Sequence, residues 1–164
     1  MSDMQEKILG LLKDNARLSD EKLAVMLGIS TQEVSDEIQK LEKSGIICGY
    51  GVFINEDKLN KESVTALIEI KVMPKAKLGY KDNARTIAQF SEVEAVYLMS
   101  GDYDLVLKVK CNSLKEVGRF VDEKLSSIDG ILKISTHFII GRYKESGEVF
   151  DFDYSSDERG LVSP

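Results

Sequence analysis

Residues 19–41, SDEKLAVMLGISTQEVSDEIQKL, decide the reading of this chain. Ser19 stands where a residue can cap a helix, and Leu23, Val25, Met26 and Leu27 supply that helix with apolar positions. Gly28 suits the left-handed conformation that ends a helix. Ser30-Thr31-Gln32-Glu33 then fits the S-x-x-E capping box, and Val34, Ile38 and Leu41 follow at i, i+4, i+7. Two short helices around a Gly-centred turn have the arithmetic of a helix-turn-helix.

Upstream, Ile8, Leu11 and Leu12 form one face of a first helix over residues 4–13, and Asn15 to Leu18 break it. Downstream, Gly45 marks the stop of the third helix, and Ile46 to Ile54 reads as extended. Residues 1–54 are therefore a helix-turn-helix domain of the winged type, and the polar residues 55–63 a linker.

A different rhythm begins at Val64. Val64, Ala66, Ile68, Ile70 and Val72 alternate as in a strand ended by Pro74. Ala84, Ile87 and Ala88 give a helix face over 82–90. Val93–Met99 and Tyr103–Lys110 read as two strands joined by a hairpin at Ser100-Gly101-Asp102. Ser113 to Glu116 is a second capping box, opening a helix with Leu114, Val117, Val121, Leu125 and Ile128 on one face. Ile131–Ile140 is the fourth strand. The order over 64–143 is β-α-β-β-α-β, a ferredoxin-like unit, so the fold class is α+β. Two helices on one sheet face leave the other open to a second subunit. Residues 144–164 form an acidic tail, read equally as disordered or as an added edge strand through Val149, Phe150, Phe152 and Tyr154.

Composition narrows the function classes. The chain has 164 residues and a net charge of −6, with 43% hydrophobic and 30% charged residues, as in an ordinary globular protein. No apolar run approaches a membrane span, and the N-terminus lacks the pattern of a signal peptide. Cys48 and Cys111 read as two reduced thiols of a cytoplasmic protein. No metal-ligand spacing, GxGxxG or P-loop is present, so no cofactor is expected.

The stretch Ile8-Leu9, Leu11-Leu12, Asn15-Ala16-Arg17-Leu18-Ser19, Leu23-Ala24, Gly28-Ile29-Ser30, Val34, Ile38, Leu41-Glu42, Gly45-Ile46-Ile47 and Gly49-Tyr50 resembles the Lrp/AsnC (feast/famine) transcriptional regulators. Gly101-Asp102-Tyr103-Asp104-Leu105, Gly130-Ile131 and Thr136 match that family's regulatory domain. The resemblance covers residues 4 to 144. It implies a homodimer assembling to a tetramer or octamer, with an amino acid or related metabolite bound between subunits.

A helix-turn-helix presents its third helix to the DNA major groove. The residues so exposed are Ser30, Thr31, Gln32, Glu33, Ser35, Gln39 and Lys40, which read either as base and phosphate contacts or as plain solvated positions. Relatives usually carry an Arg just before Ile38. Here Asp36-Glu37 stand instead, and over residues 1–60 acids outnumber bases eleven to seven. Phosphate neutralisation drives DNA affinity, so binding to double-stranded DNA is expected to be weak per subunit and multivalent. The competing reading is a helix-turn-helix turned toward protein contacts.

From the residues alone Gly101-Asp102 is a simple β-turn, or a close-approach loop whose carboxylate receives an ammonium group. The resemblance places the effector pocket near this hairpin and the last strand, which assigns Met99, Gly101, Asp102, Tyr103, Asp104 and Thr136 to it. Ile134 stands where relatives often have a polar residue. Some proteins of this architecture decarboxylate tetrapyrroles, for which Tyr97, Tyr103, His137 and Arg142 would be the acids or anion binders. Nothing marks them as a set, and no enzyme activity is expected.

Overall fold

The computed structural model describes residues 1–59, 63–73 and 80–150. Two compact units are present, Met1–Ile54 and a second beginning at Asn55.

The first unit is three helices, α1 (Asp3–Asp14), α2 (Asp20–Leu27) and α3 (Thr31–Lys43). Each starts on a serine. Ser2, Ser19 and Ser30 accept the N–H of Gln5, Lys22 and Glu33, removing one orphan donor from each first turn. Gly28 turns the chain between α2 and α3 at φ 69°, where a Cβ would strain the backbone. The core is Ile8, Leu12, Leu23, Ala24, Val34 and Leu41, with Leu27, Ile29 and Ile38 packed against it. On α2 the buried side is Leu23 and Ala24, so two of the expected apolar positions point outward. Val25 is 83% exposed and Met26 is also exposed, because a two-turn helix buries only one stripe. The extended reading of 46–54 finds no strand partner among the described residues.

The second unit is built on a four-stranded antiparallel sheet of β1 (Val64–Val72), β2 (Val93–Leu98), β3 (Leu105–Cys111) and β4 (Ile131–Phe138), in the order β2-β3-β1-β4. This is the split β-α-β order of the ferredoxin-like fold. Strand β1 lies in the middle, with Ile68 opposite both Leu107 and Thr136, and Ile70 opposite both Leu105 and Ile134. Its even-numbered residues Ala66, Ile68, Ile70 and Val72 are buried beneath the helices, as the alternation predicts. The expected stop at Pro74 lies outside the described residues.

Helix α4 (Lys81–Ile87) supplies Ile87 to the core, and α5 (Leu114–Arg119) supplies Val117. After Arg119 the helix widens to a π-helical turn, Phe120–Leu125. That turn brings Phe120 and Leu125 inward, and Phe120 meets Phe90 edge to face at 5.7 Å. Leu114 stays 59% exposed, so the five-residue apolar face read from periodicity is buried or half-buried only from Val117 onward. Ser113 does cap the helix, but Glu116 returns its carboxylate to the N–H of Asn112 instead of closing the box on Ser113.

Parts of the polar segments read as linker and tail, residues 55–59 and 144–150, are described, and they include regular elements. Glu56–Lys58 is a short 3-10 turn. Lys144–Glu145 (β5) and Glu148–Val149 (β6) form a separate two-stranded hairpin, closed by Ser146 at φ 52° and Gly147 at φ 94°. Positive φ at both central residues matches the right-handed twist of the strands. Phe152 and Tyr154 lie outside the described residues.

Candidate DNA-reading helix and effector site

On α3 the polar residues assigned to DNA are exposed, Ser35 apart, which is half-buried. Several already hold partners. Ser30 Oγ donates to Glu33 at 2.7 Å, and the Ser30 N–H does so at 2.9 Å, completing the capping box. Those bonds hold the Glu33 carboxyl below its usual pKa. Gln32 donates to Asp36 at 2.9 Å and Lys40 to Glu37 at 2.6 Å. Glu37 also accepts from Gln5 of α1 at 2.8 Å, and its carboxyl is held low by Lys40 first and Gln5 second. Thr31 and Gln39 remain open to solvent.

The acids that looked out of place on a DNA-reading helix therefore have local work. Glu33 caps the helix, and Glu37 ties α3 to α1. Their charges remain on the exposed side, and each holds a donor that phosphate or a base would otherwise take.

In the second unit, the hairpin residues divide into two groups. Gly101 and Asp102 are exposed. Asp104 is only 8% exposed and faces inward. Its carboxylate accepts from the Val72 N–H at 2.9 Å and from Lys71 at 3.4 Å, with Tyr80 as a further donor. The Val72 N–H is the main reason its carboxyl stays below the ordinary range. The Asp104 backbone joins β1 and the hairpin as well, donating to Ile70 and accepting from Met99 at 2.8 Å. Tyr103 lies beneath Lys133, whose Nζ is 5.3 Å from the ring centre.

Thr136 is half-buried on β4, opposite Ile68 and so on the helix side of the sheet. With β1 between β3 and β4, two strand spacings of roughly 10 Å separate it from the hairpin strand. One chain does not bring Thr136 to Asp102. The end of the sheet at the hairpin carries exposed Leu98 and Met99, and the same end of β1 and β4 carries exposed Met73 and Leu132.

The residues considered for tetrapyrrole chemistry are dispersed. Tyr97 and His137 sit on the two opposite edge strands. His137 bonds Glu69 at 3.1 Å, and Arg142 bonds Glu56 at 2.7 Å.

Comparison with known proteins bears on both units. Residues 65–149 match the Lrp/AsnC ligand binding domain, and residues 1–47 a winged helix-turn-helix DNA-binding domain. The chain belongs to the Lrp/AsnC family. It is a transcriptional regulator with a helix-turn-helix for DNA and a ligand-binding domain. An uncharacterised HTH-type transcriptional regulator of Bacillus subtilis, YugG, is 42% identical over 100% of this chain and 99% of its own length. Among solved structures of this fold, an AsnC family transcriptional regulator from Agrobacterium tumefaciens is 27% identical, with TM-score 0.71, covering 91% of this chain and 96% of that one. The transcriptional regulator NMB0573 of Neisseria meningitidis, solved as an L-Met complex, is 20% identical with TM-score 0.71, covering 94% and 99%. Within the described residues no helix of this Lrp/AsnC chain is long and apolar enough to cross a membrane.

Two features gave no sequence signal. A cavity of about 520 Å³ opens at the other end of the sheet, with Cys111, Phe120, Lys110 and Lys124 in its wall. An ion-pair network links Glu56, Lys110, Arg142, Glu145 and Lys108. Its members are spread across residues 56 to 145, so no local spacing announces it.

Proposed function

We propose that this Lrp/AsnC regulator binds double-stranded DNA weakly per subunit, through Ser30, Thr31, Gln32, Glu33, Ser35, Gln39 and Lys40, and reaches useful affinity only as a homo-oligomer. The observation that carries this is the pairing of Gln32 with Asp36 and Lys40 with Glu37 on α3. Each acid both repels phosphate and occupies a donor, so few counterions are released per subunit. Linked copies raise the effective affinity without new contacts. A gel-shift series on the DNA upstream of its own gene, at increasing salt, tests it. Binding that grows with assembly and has a shallow salt slope is expected; no binding at low salt by the full assembly overturns it and favours the protein-contact reading.

For the effector, an amino acid with an apolar side chain fits best. Exposed Met73, Leu98, Met99 and Leu132 share one end of the sheet with the Asp102 carboxylate. The L-Met complex of the NMB0573 structure supports the same ligand class. Because Thr136 stands apart from Asp102 within one chain, the site is completed by a second subunit, with Met99, Gly101, Asp102 and Tyr103 from the hairpin. Asp104 supports it from beneath. This cytoplasmic binding role needs no catalytic group. A thermal-shift screen of amino acids, repeated with Asp102→Ala, tests the site; unchanged shifts and unchanged assembly in that variant overturn it.

A further inference from the structure

The first unit ends at Ile54 and the second begins at Asn55, so Asn55 to Leu59 is the connector by which the second unit continues from the first. Glu56 holds it. Its carboxylate accepts from Arg142 Nη2 at 2.7 Å, from Lys110 Nζ, and from Ser63 Oγ at 3.4 Å. The side chains of Glu56 and Arg142 are only 20% and 19% exposed. The same guanidinium reaches Glu145 at 3.5 Å through Nη1. Glu145 in turn meets Lys108, which also pairs with Glu94 at 3.2 Å.

Lys108 and Lys110 alternate with the buried Leu107 and Val109 on β3, so both project from the sheet face away from the helices. Three acids and three bases thus interlock on that face. Glu56 comes from the connector, Lys108 and Lys110 from the central strand β3, Glu94 from the edge strand β2, Arg142 from the segment after β4 and Glu145 from the β5–β6 hairpin. Opposing them, the neighbouring Asn55 has a buried side-chain oxygen with no hydrogen-bond partner. A buried acceptor without a donor disfavours the seated arrangement.

We propose that Glu56 and Arg142 form a latch that seats the connector on the open face of the ligand-binding sheet. The β5–β6 hairpin acts as its keeper, and Asn55 holds the balance close to release. A ligand or subunit that claims Arg142 or Lys110 frees the connector, and with it the tether of the DNA-binding unit. This stands independently of which DNA or effector the protein binds.

Hydrogen exchange on the full chain reads the latch through Lys58 and Leu59, whose N–H groups donate to the Asn55 and Glu56 carbonyls. Glu56→Gln and Arg142→Gln are each expected to speed exchange there about ten-fold or more, while Ile68 and Ile70 of β1 stay at the wild-type rate. The double variant adds less than about two-fold, because either change alone opens the latch. Asn55→Ala moves exchange the other way. Should Arg142→Gln unfold the hairpin, Lys110→Gln replaces it with the same expected result. Exchange within about two-fold of wild type in Glu56→Gln overturns the latch, and so does a rise that β1 shares in parallel.

Discussion

Glu37 of α3 accepts a hydrogen bond of 2.8 Å from Gln5 of α1, thirty-two residues earlier in the chain. The same carboxylate holds Lys40 one turn further along. One acid therefore links two helices and keeps a lysine of the reading helix occupied.

Replacing that acid separates its two effects. Glu37→Gln keeps the shape of the side chain and weakens its hydrogen bonds to Gln5 and Lys40, so the first unit is expected to lose a little stability. It also releases Lys40 to phosphate. Fluorescence anisotropy on a random-sequence duplex is expected to show tighter binding and a salt slope steeper by about 0.9. A salt slope unchanged from wild type counts against the release of Lys40.

Asp104 and Asp102 are two residues apart and predicted to behave oppositely. Asp104→Asn removes the charged acceptor of the Val72 N–H and of Lys71, and is expected to cost about 1–3 kcal/mol in chemical denaturation. Asp102→Ala, on an exposed turn position, is expected to stay within about 0.5 kcal/mol.

Acid should weaken the second unit through Glu56. Its carboxyl is lowered from 4.5 to about 2, by Arg142 first and Lys110 next. A depressed carboxyl adds stability that is complete above the unfolded value and is lost as pH falls from about 4.5 toward 2. The groups that bond it are Arg142, Lys110 and Ser63. Denaturation curves should show wild type more stable than Glu56→Gln by about 1–3 kcal/mol at pH 7, with the gap closing by about pH 2.

Leu107 on β3 is fully buried beneath the helices. Leu107→Ala should cost about 2–5 kcal/mol, and only in the second unit. Calorimetry that showed both units losing stability together would contradict the separation at Ile54.

Much of this fold is legible in local spacing. The Ser-capped helices, Gly28 and the alternation of Val64 to Val72 each report on neighbours within a few residues, where backbone geometry is decided. On the last helix periodicity found Val117, Val121, Leu125 and Ile128, which are buried or half-buried, and erred only at positions beside them. The π-helical turn at Phe120 brings inward a residue that a regular repeat had left out, while Leu114 stays exposed. On α2, hydrophobicity alone did not tell Leu23 from Val25, since only packing selects the stripe.

By itself the sequence determined the order of elements and the helix-turn-helix, because caps, turns and alternation are short-range properties, while the candidate effector residues are what the family resemblance implies. Only the tertiary structure decided what the charges do. It turned Asp104 inward to the Val72 N–H, joined Glu37 to Gln5, and brought Glu56 to Arg142 across eighty-six residues. Ion pairs form between whatever charges the packed chain brings within a few ångströms, and sequence separation sets no limit on that.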